Sequence, residues 1–282
     1  MLFVCSTLMF LGGCGAKPRE PDLNLKGIKI GDLAPPDRSS TISQQGHVQP
    51  QSAPRIGVLR ATNIEATIFE LPAENIKYLD GLWLVLNPPG SLELRYTDPN
   101  GFAANGLRAA SGESGALGKV TKMLKSAEAK QLSTTALLIP DGQFEVLNIA
   151  RLTRRTTISY IQRQNVIKSA EVGPGILGFQ VTARQIPGAR LQAMSGMVNI
   201  AVVPAILAST EGLGPEMAAQ LMANDIRFYS AGFRVTMKPG DFVVVTPWEY
   251  KPDEVTAAGR FFTRPEPRPV VRVLLLVCTS IT

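Results

Sequence analysis

A single histidine, His47, serves a chain of 282 residues, and that scarcity bounds the chemistry first. Imidazole is the usual general base, the middle member of nucleophilic triads and the commonest zinc ligand. His47 lies in a polar, unpatterned stretch, so none of those sites can be assembled from it. Cysteine is nearly as scarce: Cys5, Cys14 and Cys278 do not make a thiolate metal site between them. Neither Ser-x-x-Lys nor Gly-x-Ser-x-Gly occurs, which sets aside penicillin-binding-type acylation and the nucleophile elbow.

Two glycine-rich stretches imitate nucleotide sites. Gly173-Pro-Gly-Ile-Leu-Gly178 fits G-x-G-x-x-G, but a dinucleotide site needs a helix N-terminus directly after it to face the pyrophosphate. Strand-like Phe179-Gln-Val-Thr-Ala follows instead, with no acidic residue in the next 30 positions, and a tight turn between strands is expected. Gly112-Glu-Ser-Gly-Ala-Leu-Gly-Lys119 resembles a phosphate loop. It carries five residues between its glycines rather than four, and Val120 stands where the magnesium-binding hydroxyl belongs. Residues 102–111 before it do not read as a strand.

Carboxylates alone can hydrolyse glycosides. A pair would have to come from Glu211, Glu216, Asp225, Asp241, Glu249, Asp253 and Glu254, and caps, turns or exposed helix faces account for each. Arg151, Arg154, Arg155 and Arg163 gather on strand-like sequence around Tyr160, a surface suited to an anionic polymer or simply a solvated sheet face. The excess of 29 Lys+Arg over 23 Asp+Glu gives +6. That surplus is modest for this length, and no nucleic-acid partner and no cofactor are expected.

Residues 2–13 are apolar or small and carry no charge. A helix needs about 20 such residues to span a bilayer, so the run fits the apolar core of a signal peptide instead. It ends in Leu11-Gly12-Gly13-Cys14, which resembles the lipobox of bacterial lipoproteins: Leu, two small residues, Cys. The resemblance covers residues 1–14 only. It implies that the Cys14 thiol is diacylglycerated, the chain cut just before it and the new amino group acylated, giving a palmitate-type anchor. No Lys or Arg precedes the apolar run, a departure from the family's pattern. Gly15, where Asp would favour retention in the inner membrane, implies the outer membrane, facing the periplasm.

Residues 14–53, rich in Pro, Ser and Gln, read as the lipidated cysteine and a flexible tether, with a short strand conceivable at 25–33. Residues 54–282 read as a globular domain, with a candidate subdivision near 208–213. Its class is expected to be α+β: a strand-rich mixed sheet with two or three short-to-medium helices. A helix over 114–130 follows from Leu117, Val120, Met123, Leu124 and Ala127 on one face and lysines on the other, with Ser114 as N-cap. A second is expected at 214–223, and a short one from Pro72. Leu82–Leu86 reads as a buried strand and Asp98-Pro-Asn-Gly101 as a turn. Strands follow at 135–139, 144–149, 156–161, 178–183 and 197–207. Phe233–Met237 and Phe242–Thr246 read as a hairpin about Lys238-Pro-Gly-Asp241. Val270–Ile281 reads as a central strand, with Cys278 a small buried hydrophobe and no disulfide partner.

These readings converge on a lipid-anchored component of the cell envelope. It is expected to act by binding a protein or polymer partner in an accessory or scaffolding role. The competing reading is a carboxylate-based hydrolase or a small-molecule or glycan-binding domain.

Overall fold

The computed structural model describes residues 60–86, 94–162, 166–186, 196–208, 216, 225–251, 256–265 and 267–282, all within one unit, Ile56–Thr282. The signal peptide, Cys14, the tether, Arg163, residues 190–194, the 208–213 boundary beyond Ala208, and the 214–223 helix apart from helical Glu216 lie outside the described residues.

The apolar segment at 270–281 organises the rest. As β14 (Val270–Ile281) it lies between β12 (Phe242–Pro247) and β1 (Ala61–Pro72), antiparallel to both. Beyond these stand β3 (Leu107–Gly112) on β12 and β4 (Lys130–Pro140) on β1, while β13 (Thr263–Arg264) adds to β14. Leu274, Leu276 and Cys278 face one buried layer and Val271, Val273 and Leu275 another. Both faces are covered, which is why the strand has almost no polar residue in its middle.

A second sheet runs in the order β2 (Leu94–Tyr96), β11 (Phe233–Met237), β9 (Val198–Ala208), β8 (Gly175–Gln185), β5 (Phe144–Leu152), with β10 (Ile226–Arg227) on β9. Its inner face brings Phe179, Val181, Ile200, Val202 and Val235 against Ile64, Ala66, Val243, Leu274 and Leu276 of the first. Alternate residues of each strand therefore share one sandwich core. The first sheet's other face is roofed by α1 (Asp80–Leu86) and α3 (Ser114–Ser126), through Leu82, Leu86, Val120 and Leu124. Two further helices, α2 (Pro99–Ala104) and α4 (Ala257–Phe262), pack at the sandwich, and β6 (Thr156–Gln162) pairs only with β7 (Val166–Val172) as a ribbon. At one end Ala61 and Thr282 exchange backbone hydrogen bonds of 3.1 and 2.9 Å. There the Gln185 side chain donates to the carbonyls of Ala61 and Thr282.

The chain is strand-rich with few helical residues, compatible with the α+β expectation. Every pairing among the described residues is antiparallel, so the expected mixed sheet is in fact two antiparallel sheets and a ribbon. Four local expectations are corrected. Leu82–Leu86 is helical: Leu79, Leu82, Trp83 and Leu86 are buried at helical spacing while Leu84 is 89% exposed. Residues 107–112 are a strand whose last four residues, Ala109–Gly112, are small. A Cβ on Gly112 would lie 2.4 Å from the Phe242 ring and 2.9 Å from Leu86. Asp98-Pro-Asn-Gly opens α2 rather than a turn, with the Asp98 carboxylate accepting from Gly101 N–H. The α3 N-cap is Glu113, not Ser114, and the helix stops at Ser126.

The expected hairpin at 233–246 is the largest correction. Both strands exist, but β11 pairs with β9 and β2 and β12 with β14 and β3, so Lys238–Asp241 carries the chain from one sheet to the other. Gly240, at φ +93°, makes this corner, with the Asp241 carboxylate accepting from Lys238 N–H at 2.9 Å.

Candidate functional site

The ribbon β6–β7 supplies the candidate site because its two faces differ. Directly opposed residues share a face, so Thr156 and Val172, Ile158 and Ala170, Tyr160 and Lys168, and Gln162 and Val166 all point the same way. Near the ribbon's root this face joins the core: Ile158 and Val172 are buried in it. Towards the far end it overhangs an open cleft of about 450 Å³, lined also by Thr97, Asp98, Arg227, Tyr229 and Ser230.

A buried asparagine fixes the overhang. The Asn105 side chain accepts from Ile161 N–H at 3.0 Å and donates to the Ile161 carbonyl at 3.0 Å and the Gly101 carbonyl at 2.7 Å. It thus takes the place of a neighbouring strand along β6. The Ser230 hydroxyl donates to the same Ile161 carbonyl, tying the ribbon to the opposite wall. Beneath, the Tyr160 ring meets Phe228 edge-on at 4.9 Å, and Phe228 meets Phe261 at 6.0 Å. This aromatic floor holds Tyr160 in place while its edge faces the opening.

Around the mouth stand two exposed cations, Lys168 and Arg227, and an exposed Tyr229. The carboxylate in the lining, Asp98, is engaged as the α2 cap. A Cβ on Gly101 would lie 2.8 Å from that carboxylate and 2.9 Å from Ser230, so glycine lets cap and wall close together. The arrangement can hold an anionic group between the cations with its apolar parts against the tyrosines.

The arginines singled out in the sequence are only partly gathered. Arg151 lies on the outer face of β5 opposite Ile176, and Arg154 and Arg155 are exposed in the connection to β6. They stand at the ribbon's root, whereas Gln162, next to Arg163, stands at its far end. Lys168 faces Tyr160 across the hairpin, and a 2-residue alternation applied to β6 and β7 would have found it. No local pattern points to Arg227 or Tyr229, which come from a segment some sixty positions further on.

Of the acids considered from sequence, Asp225 accepts from Ala208 N–H, Glu249 pairs with Lys251, Asp241 is buried at the sheet-crossing corner and Glu216 is exposed. Glu211, Asp253 and Glu254 lie outside the described residues. Three other glutamates, Glu70, Glu74 and Glu128, line a second hollow of about 620 Å³ with Lys130, Arg264 and Arg268. The Glu70 carboxylate there is held by Arg272 at 3.0 Å and Arg264 at 3.3 Å. The two glycine motifs are structural. Gly173–Gly175 joins β7 to β8, and β3 meets α3 through Glu113 alone, leaving no loop to cradle a phosphate.

No protein-family model and no curated protein matches the chain. A solved structure to which it is similar is the InvG secretin domain β-barrel from the Salmonella SPI-1 injectisome, at 12% identity and a TM-score of 0.22, covering 79% of this chain. The match spans 64% of that structure's chain, and at this score neither fold nor function carries over.

Proposed function

We propose that this chain is a lipid-anchored component of the cell envelope that works by binding. The cleft beneath β6–β7 recognises an anionic segment of a protein or polymer partner. One observation carries the reading: Lys168 and Arg227 flank a tyrosine-bearing opening whose own carboxylate is already committed to a helix cap. Its groups are recognition groups, set on a ribbon fixed by Asn105 and Ser230. The lipobox resemblance at Leu11–Cys14 supports the anchor, and the tether would hold the body at the membrane surface.

The test is charge reversal at the mouth. Fluorescence anisotropy with a labelled polyglutamate peptide, and with labelled neutral dextran as control, measures binding to the chain. Wild-type protein is expected to hold the acidic probe, and Lys168→Glu with Arg227→Glu to weaken it about tenfold or more, roughly 1.4 kcal/mol. An acidic probe that ignores the wild type, or binds both forms equally, overturns the reading.

The hollow of Glu70, Glu74 and Glu128 favours the runner-up, a carboxylate-based hydrolase. Turnover of a glycoside substrate that disappears in Glu74→Gln or Glu128→Gln would establish it.

A further inference from the structure

We propose that β4 is a pairing edge, and that what pairs with it is the β4 of a second copy of this chain. β4 bonds β1 on one side and ends the first sheet on the other. Seven successive residues, Lys130–Ala136, are exposed on both of its faces. Sandwich proteins ordinarily blunt such an edge with charge, proline, brevity or a bulge; β4 has a bulge at Leu132 near its start, where Ile68 faces Ser133 and Phe69 faces Gln131, and is regular from Ser133 on. Here Gln131–Ile139 contains no charged residue, no proline and no glycine, and exposes Leu132 at 52% and Leu138 at 57%.

The chemistry along the strand selects the occupant. Its ends carry opposite charges, exposed Lys130 at the start and exposed Asp141 just past the end. An antiparallel second copy brings each lysine to the other's aspartate, whereas a parallel one sets like against like. A two-fold axis perpendicular to the sheet requires opposed residues to share a face, so their numbers sum to an even value. With Thr135 on the axis, Thr134 lies opposite the partner's Ala136 and Ser133 opposite the partner's Leu137; beyond them the bulge sets Leu132 out of the ladder, and Lys130 of each copy runs towards the partner's Asp141. The antiparallel arrangement that covers this uncharged edge is therefore the one that brings the opposite charges together. Asp141 is held in place through Oδ1, which accepts from Gln185 N–H at 2.7 Å.

The test uses the full-length chain with Cys5→Ser and Cys14→Ser, so that the native thiol remaining is buried Cys278. Added Thr135→Cys places two sulfurs at directly opposed positions, where Cα separations of about 4.5–5.5 Å suit a disulfide. Oxidation is expected to give a covalent dimer. Thr157→Cys, on the ribbon's exposed face, should give none. In the cysteine-poor background, Thr135→Lys sets two lysines together and should raise the dimer dissociation constant in sedimentation equilibrium about tenfold. Near-UV circular dichroism should be unchanged, because Thr135 is exposed. A chain that stays monomeric overturns the proposal, since the edge then awaits a strand from a different protein. So does a dimer that neither cross-links through position 135 nor weakens with Thr135→Lys.

Discussion

Asn105 is 1% exposed, yet both ends of its amide are bonded to backbone of other elements. Removing that amide leaves the N–H of Ile161 without its partner, at about 1–3 kcal/mol for a buried group left unsatisfied, and leaves its C=O to the Ser230 hydroxyl. Asn105→Leu is therefore expected to lower the melting temperature and to speed hydrogen exchange at Ile161 more than at β14 amides. Equal loss of protection everywhere would show that the ribbon is not held separately. Asp241 poses the opposite problem. Its side chain is fully buried beside Cys278, with one oxygen bonded to Lys238 N–H and the other, Oδ1, without a partner. Burial pushes its carboxyl above the ordinary value of 3.8, and the Glu113 charge adds to this, against Lys238 and Ser114, which favour the anion. Burial, with the nearby Asp241, likewise pushes the Cys278 thiol up to about 11, so it stays protonated and inert. A folded-state carboxyl raised in this way favours folding most below the unfolded value of 3.8 and loses that contribution as pH climbs through the folded value. Asp241→Asn should then flatten the stability profile across the mildly acidic range and be at least as stable as wild type at neutral pH. A steeper profile in urea titrations of the variant would contradict this.

β14 carries the prediction at the scale of elements. Leu276 is 2% exposed between the sheets, so Leu276→Asp buries an unpaired carboxylate and should cost several kcal/mol, much of a typical 5–15 kcal/mol total. Deleting 270–282 should prevent folding, because β1 and β12 then lose the strand between them. Solubility and near-UV circular dichroism check both; a soluble deletion with native aromatic signal would make the strand dispensable. This element was legible because burial on two faces leaves an unbroken apolar run. The pairs that failed to read from sequence are those whose partner is distant. Phe233–Met237 and Phe242–Thr246 look like a hairpin through their turn, but each is apolar enough to sit in a different sheet. Leu107–Gly112 lacks the bulky alternation of a strand beyond Arg108, and at Gly112 the Phe242 ring and Leu86 occupy the space a side chain would need. Leu82–Leu86 fits strand and helix patterns alike until Leu79 is counted with it. At the cleft, Tyr160 and Lys168 follow from hairpin alternation, while Arg227 and Tyr229 are delivered by tertiary folding alone.

For the whole molecule, the proposed attachment is the first thing to test. Among the described residues no helix is long and apolar enough to cross a membrane. In the proposed reading the lipid on Cys14 holds the body there. Cys14→Ser is expected to move the protein to the soluble fraction after a high-salt wash; persistence in the membrane pellet would remove the anchor from the reading. The position of β14 has a further consequence, one of timing. Residues 270–281 fill the middle of the first sheet, between strands that start at Ala61 and at Phe242, and Thr282 closes the ring of bonds back to Ala61. A ribosome that has delivered the first 260 residues has therefore made a sandwich with a gap through its centre, and strands on either side of that gap cannot lock. Cooperative folding therefore waits for residues 270–282, and the nascent chain stays threadable until they appear. For a polypeptide proposed to cross a membrane before it folds, this central strand would keep the residues before it export-competent until it is made.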